Sequence, residues 1–335
     1  MTDSTHPSNA DVEAQIERAS AWTGELTGAM GAVLVGQKEL TRSLVLGLLA
    51  GGHILLEGVP GLAKSLAVAA LAKGVKGSFA RLQFTPDLLP SDLVGTEIYS
   101  AKDGTFTVRK GPIFANFVLA DEINRAPAKV QSALLEGMQE RTVSIGGETY
   151  ELPRPFLVHA TQNPLEQEGT YPLPEAQLDR FAMKVDVEYP SREEELTILD
   201  LMARTSPPEP VSEVVSTDDI LAARALVDRV TIAPALASYI VSIVEATRAP
   251  AAHGMPELAP MVQCGGSPRA SIWLALMTRA AAFMAGRAYG TPEDVKGVAH
   301  EVLRHRILPT YEAEAEGIST DEIVTRVLER VPLDR

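Results

Sequence analysis

The chain has 335 residues, of which 45% are hydrophobic and 22% are charged, values typical of folded globular proteins. This length predicts two domains, because one hydrophobic core seldom organises more than about 300 residues. No apolar run reaches the roughly 20 residues of a membrane span, residues 1–10 show no secretion-signal pattern, and the single cysteine, Cys264, excludes an internal disulfide. We therefore expect a cytoplasmic protein.

The net charge of −14 is divided evenly between residues 1–189 and 190–335. Neither part contains a basic arm or a stripe of Lys and Arg residues. General affinity for nucleic acid requires such a surface. The charge distribution therefore argues against general nucleic-acid binding.

The polar residues 1–10 predict a disordered tail, after which helices alternate with short apolar strands. Apolar spacing predicts helices over 11–31 and Glu39–Ala50, and Gly51 and Gly52 end the second of these. The predicted strands are Ile54–Leu56, Phe79–Gln83, Phe117–Ala120, Phe156–Thr161 and Met183–Val187. Short buried strands that alternate with helices favour a parallel sheet covered on both faces. Residues 11–189 are thus predicted to form an α/β domain.

Two insertions interrupt this alternation, at residues 84–111 and 142–150. Lys102-Asp103-Gly104 and Gly146-Gly147 are turn sequences beside alternating arms, which predicts a β-hairpin in each insertion. The hairpins could be functional or could be surface decoration.

Strand signals stop after Pro190. Residues 190–335 are predicted to form an all-helical second domain, with a Pro-rich link over Thr205–Pro210. Its predicted helices are Glu193–Ala203, Asp218–Val230, Pro234–Arg248, Pro268–Arg287, Pro292–Arg304 and Asp321–Arg330.

A candidate phosphate-binding loop follows the first predicted strand. It consists of Gly58, Val59, Pro60, Gly61, Leu62, Ala63, Lys64 and Ser65, and it leads into a helix that begins near Leu66. In such loops, backbone N–H groups and the positive end of the helix bind phosphate oxygens. Lys64 would reach the β- and γ-phosphates, and the Ser65 hydroxyl would ligate Mg²⁺. Ala63 stands where the pattern has glycine, and we expect it to have a negative φ. The alternative is an ordinary strand-to-helix loop with a chance Lys-Ser pair.

A pair of acidic residues, Asp121 and Glu122, ends the strand over Phe117–Ala120. Carboxylates at the C-terminal edge of a parallel sheet lie where α/β proteins bind ligands. Asp121 would hold Mg²⁺, and Glu122 would polarise the water that attacks the γ-phosphate. The alternative is an acidic pair that stabilises the N-terminus of the helix that follows.

Three further residues are candidates for catalysis. Asn163 follows the next strand and could bond the attacking water and the γ-phosphate, although Asn-Pro is also a common turn. Arg180 precedes the last strand and could reach a neighbouring subunit's nucleotide, or could pair with a nearby carboxylate. Arg269 lies in the first turn of a helix with Ser267 as N-cap and Pro268 as the first residue. A positive charge there opposes the helix dipole, so it favours a phosphate partner, unless it is simply exposed.

In this order the motifs resemble those of AAA+ ATPases, and more narrowly those of the MoxR family, from about Val35 to the C-terminus. The resemblance implies a P-loop AAA+ parallel-sheet core with a C-terminal all-helical lid. Gly58–Ser65 match the Walker A element, where the family accepts Ala before the Lys, and Asp121 and Glu122 match Walker B. Asn163 matches sensor 1, Arg180 the arginine finger and Arg269 sensor 2. Val35, Gly36 and Gln37 match the segment that covers adenine, and Arg125 is a further candidate for contact with a neighbouring subunit.

The resemblance also implies partners and cofactors. MoxR proteins are ATP- and Mg²⁺-dependent, chaperone-like ATPases that form rings, which we expect to be hexamers, and mature client proteins, including by cofactor or metal insertion. They often work with a partner that carries a von Willebrand factor A domain. Two alternatives stay open: a nucleotide-dependent scaffold that does not hydrolyse ATP, and a metal-insertion motor similar to magnesium chelatase.

Overall fold

The computed structural model describes residues 9–102, 104–164, 169–205 and 211–333. The first eight residues of the predicted tail and most of the predicted Pro-rich link lie outside these ranges. Residues 9 and 10, predicted to belong to the tail, are instead the first residues of a helix.

Thirteen α-helices and thirteen strands occur in the described residues. The helices are α1 Asn9–Gly31, α2 Lys38–Ala50, α3 Lys64–Gly74, α4 Pro90–Val94, α5 Ala128–Glu140, α6 Glu175–Leu178, α7 Arg192–Met202, α8 Thr217–Val227, α9 Pro234–Arg248, α10 Pro268–Met284, α11 Pro292–Leu303, α12 Tyr311–Glu316 and α13 Thr320–Arg330. The strands are β1 Ile54–Glu57, β2 Val75–Lys76, β3 Phe79–Gln83, β4 Gly95–Ser100, β5 Thr105–Lys110, β6 Phe117–Asp121, β7 Thr142–Ile145, β8 Glu148–Glu151, β9 Leu157–Gln162, β10 Met183–Asp186, β11 Val215–Ser216, β12 Val262–Cys264 and β13 Leu308–Pro309. Among the described helices, none is long and apolar enough to cross a membrane.

The five predicted core strands form one parallel sheet in the order β10-β1-β9-β6-β3. The three central strands, β1, β9 and β6, are mostly apolar and almost entirely buried. Continuous burial of this kind is expected when helices cover both faces of a parallel sheet. Because the strands run in one direction, the chain leaves β1, β9, β6 and β3 at the same edge of the sheet.

Both predicted hairpins are present, as β4–β5 and β7–β8. They contact each other. The Lys110 ammonium lies 4.6 Å from the Phe114 ring centre and 5.5 Å from that of Tyr150, and the Glu97 carboxylate fills the space that a side chain at Gly146 would need. The insertions are therefore joined by a cation–π stack rather than standing apart.

The chain forms two compact units. One is Leu26–Leu221. The other, called the C-terminal unit below, combines Ala222–Arg335 with the N-terminal stretch that ends at Glu25. This division falls inside α1 and α8. The sequence placed the domain boundary between residues 189 and 190, and that boundary stays a prediction.

The C-terminal unit is built from helices, as predicted, apart from the short antiparallel pair β12–β13. Its helices begin at defined caps. The Ser267 hydroxyl accepts a hydrogen bond from the Arg269 N–H, with Pro268 at the first helical position, and Thr291 and Asp294 form a capping box on α11. These caps satisfy backbone donors that have no partner within the helix.

One polar side chain lies in the centre of the sheet without a hydrogen bond. His159 on β9 is 0% exposed, and neither of its ring nitrogens has a partner among the described residues. Burial, and secondarily the neighbouring His53, lowers the pKa of His159 from 6.5 to about 3. The imidazole is therefore neutral in the folded protein over the physiological range.

This burial predicts a pH-dependent loss of stability. Below about pH 6.5 the unfolded chain takes up a proton at His159, whereas the folded protein does so only near pH 3. Stability should therefore fall by about 2 kcal/mol between neutral pH and about pH 5 from this residue alone. In His159→Leu that part of the loss should disappear, as measured by urea unfolding at both pH values. His253→Gln, at a histidine that is only partly buried, is the control. Equal pH sensitivity of His159→Leu and the wild type would contradict the assignment.

Candidate functional site

The loop between β1 and α3 folds around the side chain of Lys64. Its ammonium donates to the Gly58 carbonyl at 2.5 Å and to the Val59 carbonyl at 2.8 Å. Burial lowers the pKa of Lys64, while the charges of Asp121, Glu122 and Glu57 act in the opposite direction. The lysine is thus anchored on the loop at the N-terminus of a helix, where backbone N–H groups and the helix dipole favour an anion.

The backbone at Ala63 contradicts the expectation of a negative φ. Ala63 has φ 57° and ψ 18°, the left-handed conformation. The residue before Lys64 has to reverse the chain direction into α3, which explains why glycine is usual in this position of the motif. With a methyl group this conformation costs about 1 kcal/mol. The loop therefore has the backbone course of a phosphate loop, and Ala63 is strained in it.

The carboxylate of Asp121 accepts four hydrogen bonds at this edge of the sheet. Its Oδ1 accepts from the Thr161 hydroxyl at 2.6 Å. Its Oδ2 accepts from the Ser65 hydroxyl at 3.2 Å and from Arg81 through Nε at 3.1 Å and Nη2 at 2.6 Å. Burial raises the pKa of Asp121, but the hydrogen bonds from Thr161 and Arg81 and the charge of Arg81 outweigh it, so the pKa lies below its usual value. Asp121 is ionised at neutral pH.

Glu122 also takes a left-handed conformation, with φ 58°. Its N–H donates to the Thr161 hydroxyl at 2.8 Å. Its carboxylate accepts from Gln83 at 2.7 Å and pairs with Arg125 at 3.2 Å. Three non-glycine residues in the described chain have positive φ, and two of them, Ala63 and Glu122, are in this site. Strained backbone of this kind concentrates at functional sites.

These groups surround one cavity of about 400 Å³. The predicted residues that line it are Pro60, Gly61, Leu62, Ala63, Lys64, Ser65, Leu66, Asp121, Glu122 and Asn163. A smaller, mainly apolar cavity of about 100 Å³ shares Gly61, Leu62, Ala63 and Leu66 with it and is otherwise lined by residues that include Val35, Gln37 and Met202. Gly36, with φ 80°, lies against the Glu194 carboxylate. The structure therefore brings the phosphate-loop residues together with the acidic pair and with Asn163.

Two predicted residues are not among those that line this cavity. The Arg180 guanidinium donates to the Leu135 carbonyl at 2.9 Å and lines a different cavity together with Glu136 and Glu140. Arg269 belongs to the C-terminal unit. Arg125, considered as a contact to a neighbouring subunit, pairs within the chain with Glu122.

Sequence reasoning missed three residues that hold the acidic pair: Arg81, Gln83 and Thr161. Arg81 and Gln83 are two residues apart on β3, so their side chains share one face of the strand beside β6. A signal was available, because a strand next to the acidic strand carried two polar residues at spacing two. Without the order of the strands, however, the adjacency of β3 and β6 could not be inferred.

The residues of the cavity fit a Mg²⁺ ion that is held partly by the protein and partly by phosphate and water, rather than one enclosed by protein ligands. The Asp121 Oδ2 and Ser65 Oγ atoms are hard oxygen donors that meet at the cavity. No group of three or more His, Cys, Asp or Glu side chains suited to a metal occurs in the described part of the chain. Mg²⁺ commonly takes one or two protein oxygens and completes its shell with phosphates and water.

A phosphate loop after one strand, an acidic pair at the end of a second strand and a polar residue after the strand that lies between these two define a P-loop nucleotide-binding protein. Residues 53–183 match the family described as the ATPase family associated with various cellular activities (AAA), and residues 258–327 match the AAA lid domain. Both matches fit the α/β core and the helical lid expected from the sequence.

Individual relatives make the family assignment more specific. The chain is 52% identical over 301 residues to "Chaperone MoxR1" of Mycobacterium tuberculosis, covering 90% of this chain and 79% of that protein. It is 45% identical over 314 residues to YeaC of Bacillus subtilis, covering 93% and 95% of the two chains. A crystal structure of a candidate ATPase from Cytophaga hutchinsonii superposes with a TM-score of 0.90 at 50% identity, covering 97% of this chain and 98% of that one. The chain belongs to the MoxR family of AAA+ ATPases.

The strain at Ala63 yields a prediction. Ala63→Gly should stabilise the protein, measured without nucleotide, by up to about 1 kcal/mol, because glycine adopts φ 57° without a Cβ clash. Urea unfolding of the unit that contains the loop provides the measurement.

The matched control is Ala69→Gly, the same change within α3. There the backbone is helical, so glycine should destabilise by about 1 kcal/mol. If both variants lost stability to the same extent, the left-handed conformation of Ala63 would be refuted.

Proposed function

We propose that this protein is a Mg²⁺-dependent ATP hydrolase that works as a ring-forming, chaperone-like motor. The observation that carries the proposal is the single cavity in which Lys64 and Ser65 face Asp121 and Glu122. A cation on a phosphate loop and a carboxylate pair at the same sheet edge are what phosphoryl transfer to water requires.

The binding roles follow from the position of each side chain. Lys64 would exchange the carbonyls of Gly58 and Val59 for β- and γ-phosphate oxygens, a charge-assisted interaction that is stronger than its present one. Ser65 and Asp121 would hold Mg²⁺, which supplies neutralisation of phosphate charge. The small apolar cavity beside Leu62, with Val35 and Gln37, would take the adenine ring.

The chemical role falls to Glu122. Acting as general base, it would accept a proton from water while the water oxygen attacks the γ-phosphorus and the bond to the β-phosphate oxygen breaks, which yields ADP and phosphate. Glu122 now bonds Gln83 and Arg125, so it must exchange these partners to reach the water. Asn163, which lines the same cavity, would bond the attacking water and the γ-phosphate.

Assembly is proposed to complete the site. Arg180 donates to a backbone carbonyl in a different cavity, an arrangement that leaves it available to a neighbour's nucleotide in a closed ring, with six subunits the expected number. Arg269, in the first turn of α10, would contact phosphate as the lid closes. Arg125, paired with Glu122, stays a second candidate for contact between subunits.

The chaperone-like role draws on the relatives. The similar protein of Mycobacterium tuberculosis is named a chaperone, and we extend that role to this chain, with cofactor or metal insertion into a client and a partner with a von Willebrand factor A domain as its expected form. The two hairpins would transmit movement to the client as one body, because Lys110 stacks on Phe114 and Tyr150. The cytoplasmic location stays a prediction. The alternative of a motor similar to magnesium chelatase differs only in the client.

The scaffold alternative is separated from the motor by Glu122→Gln. The variant should bind ATP as the wild type does and hydrolyse it at least about 100-fold more slowly, because it lacks the base. Nucleotide affinity by fluorescence titration and steady-state phosphate release measure the two properties. A wild type that releases no phosphate at any protein concentration would support the scaffold instead.

Subunit mixing tests the role of Arg180. Arg180→Ala and Lys64→Ala should each be inactive alone, and a mixture should regain part of the ATPase activity, because some interfaces then contain one intact Lys64 and one intact Arg180. Co-assembly must be confirmed by pull-down of differently tagged chains. Co-assembled mixtures that stay inactive would exclude an arginine that acts between subunits.

A further inference from the structure

Arg81 is bound to the carboxylate oxygen that faces the phosphate loop. Two of its nitrogens donate to Asp121 Oδ2, at 3.1 Å from Nε and 2.6 Å from Nη2. The Arg81 side chain is 56% exposed, whereas that of Asp121 is 11% exposed. The guanidinium thus approaches the buried acid from the solvent side, and it lines the cavity.

The other Asp121 oxygen is committed elsewhere. Oδ1 accepts the Thr161 hydroxyl at 2.6 Å, and the Thr161 oxygen in turn accepts the Glu122 N–H at 2.8 Å. Any cation that uses Asp121 together with Ser65 must therefore take Oδ2, the oxygen to which Ser65 already donates at 3.2 Å. Arg81 occupies that same oxygen.

Binding of Arg81 and of a divalent cation to the same oxygen, Asp121 Oδ2, is energetically unfavourable. The guanidinium has donors and no acceptor, so it cannot act as a ligand, and its positive charge repels a second cation a few ångströms away. Because the Arg81 side chain is 56% exposed, it can swing away from Asp121 toward solvent. The Arg81 side chain, which extends from β3, therefore controls access to Asp121 Oδ2.

We infer that Arg81 is a built-in competitor of the divalent cation for Asp121, so that the metal enters the site only together with the nucleotide. The inference rests on the proposed function, because it takes Asp121 and Ser65 as the metal ligands. Phosphate oxygens supply the negative charge that favours metal over Arg81, and they also offer the displaced guanidinium a new acceptor. A metal ion without nucleotide lacks these phosphate oxygens, so it competes poorly with Arg81 for Asp121.

The test is Arg81→Gln, with Mn²⁺ as the probe. The nucleotide-free variant should bind Mn²⁺ about threefold to tenfold more tightly than the wild type, the equivalent of one weakened ion pair. Electron paramagnetic resonance of free Mn²⁺ measures this without any turnover. In parallel, the Mg²⁺ concentration that gives half-maximal tightening of ATP binding should fall by a similar factor.

Two variants sharpen the result. Arg42→Gln removes the same charge from α2, where Arg42 pairs with Glu39, and should leave Mn²⁺ affinity unchanged. Arg81→Lys keeps the charge without the two-nitrogen fork and should give a smaller increase than Arg81→Gln. Thermal unfolding checks that each variant is folded. Unchanged or weaker metal binding in Arg81→Gln by both readouts would overturn the inference.

Asp121→Asn separates this inference from the function on which it rests. If Asp121→Asn abolishes the Mg²⁺ effect on ATP binding while Arg81→Gln changes nothing, competition by Arg81 is wrong and the metal site stands. If Asp121→Asn retains the full Mg²⁺ effect, the proposed metal site itself is wrong, and the role of Arg81 fails with it.

Discussion

The carboxylate of Asp121 is the interaction on which the site depends. It receives hydrogen bonds from three directions: Thr161 on β9, Arg81 on β3 and Ser65 on α3. Because these elements come from distant parts of the sequence, one ionised and nearly buried group fixes the relative positions of the phosphate loop and two strand ends. An unpaired charge at this depth would be costly, so hydrogen-bond donors to Asp121 are required by its burial as much as by the chemistry.

The order of the sheet explains why so much of this site could be predicted from sequence. Short apolar strands identified the core, and residues that follow a strand in a parallel sheet must lie at one edge. That reasoning placed Lys64, Asp121, Glu122 and Asn163 together, and these four residues line one cavity. It could not supply the neighbours of those residues. Arg81 and Gln83 support the acidic pair only because β3 lies beside β6, and lateral strand order is not encoded in local patterns.

Backbone conformation at the site was the second feature that could not be predicted from the sequence. The expectation of a negative φ at Ala63 treated the residue as free to choose its conformation, whereas the reversal of the chain into α3 imposes the left-handed region on whichever residue stands there. Glu122 has the same conformation after β6. Strain at two site residues shows that the loop geometry takes precedence over local preference, with the sheet and α3 supplying the stability that the strain consumes.

The contacts of the charged groups suggest why hydrolysis would be conditional. Lys64 bonds loop carbonyls, Arg81 bonds Asp121, and Glu122 bonds Gln83 and Arg125. Each group that would act on a triphosphate has a local partner that must be exchanged first, and each exchange subtracts from the affinity for nucleotide. Only a ligand that offers several charges at once repays all of these exchanges together. On the proposed function, a phosphate chain with its metal would do so, whereas metal alone or a single phosphate would not. On the proposed function, the two partners that β3 supplies, Arg81 to Asp121 and Gln83 to Glu122, would therefore make occupation of the site all or none.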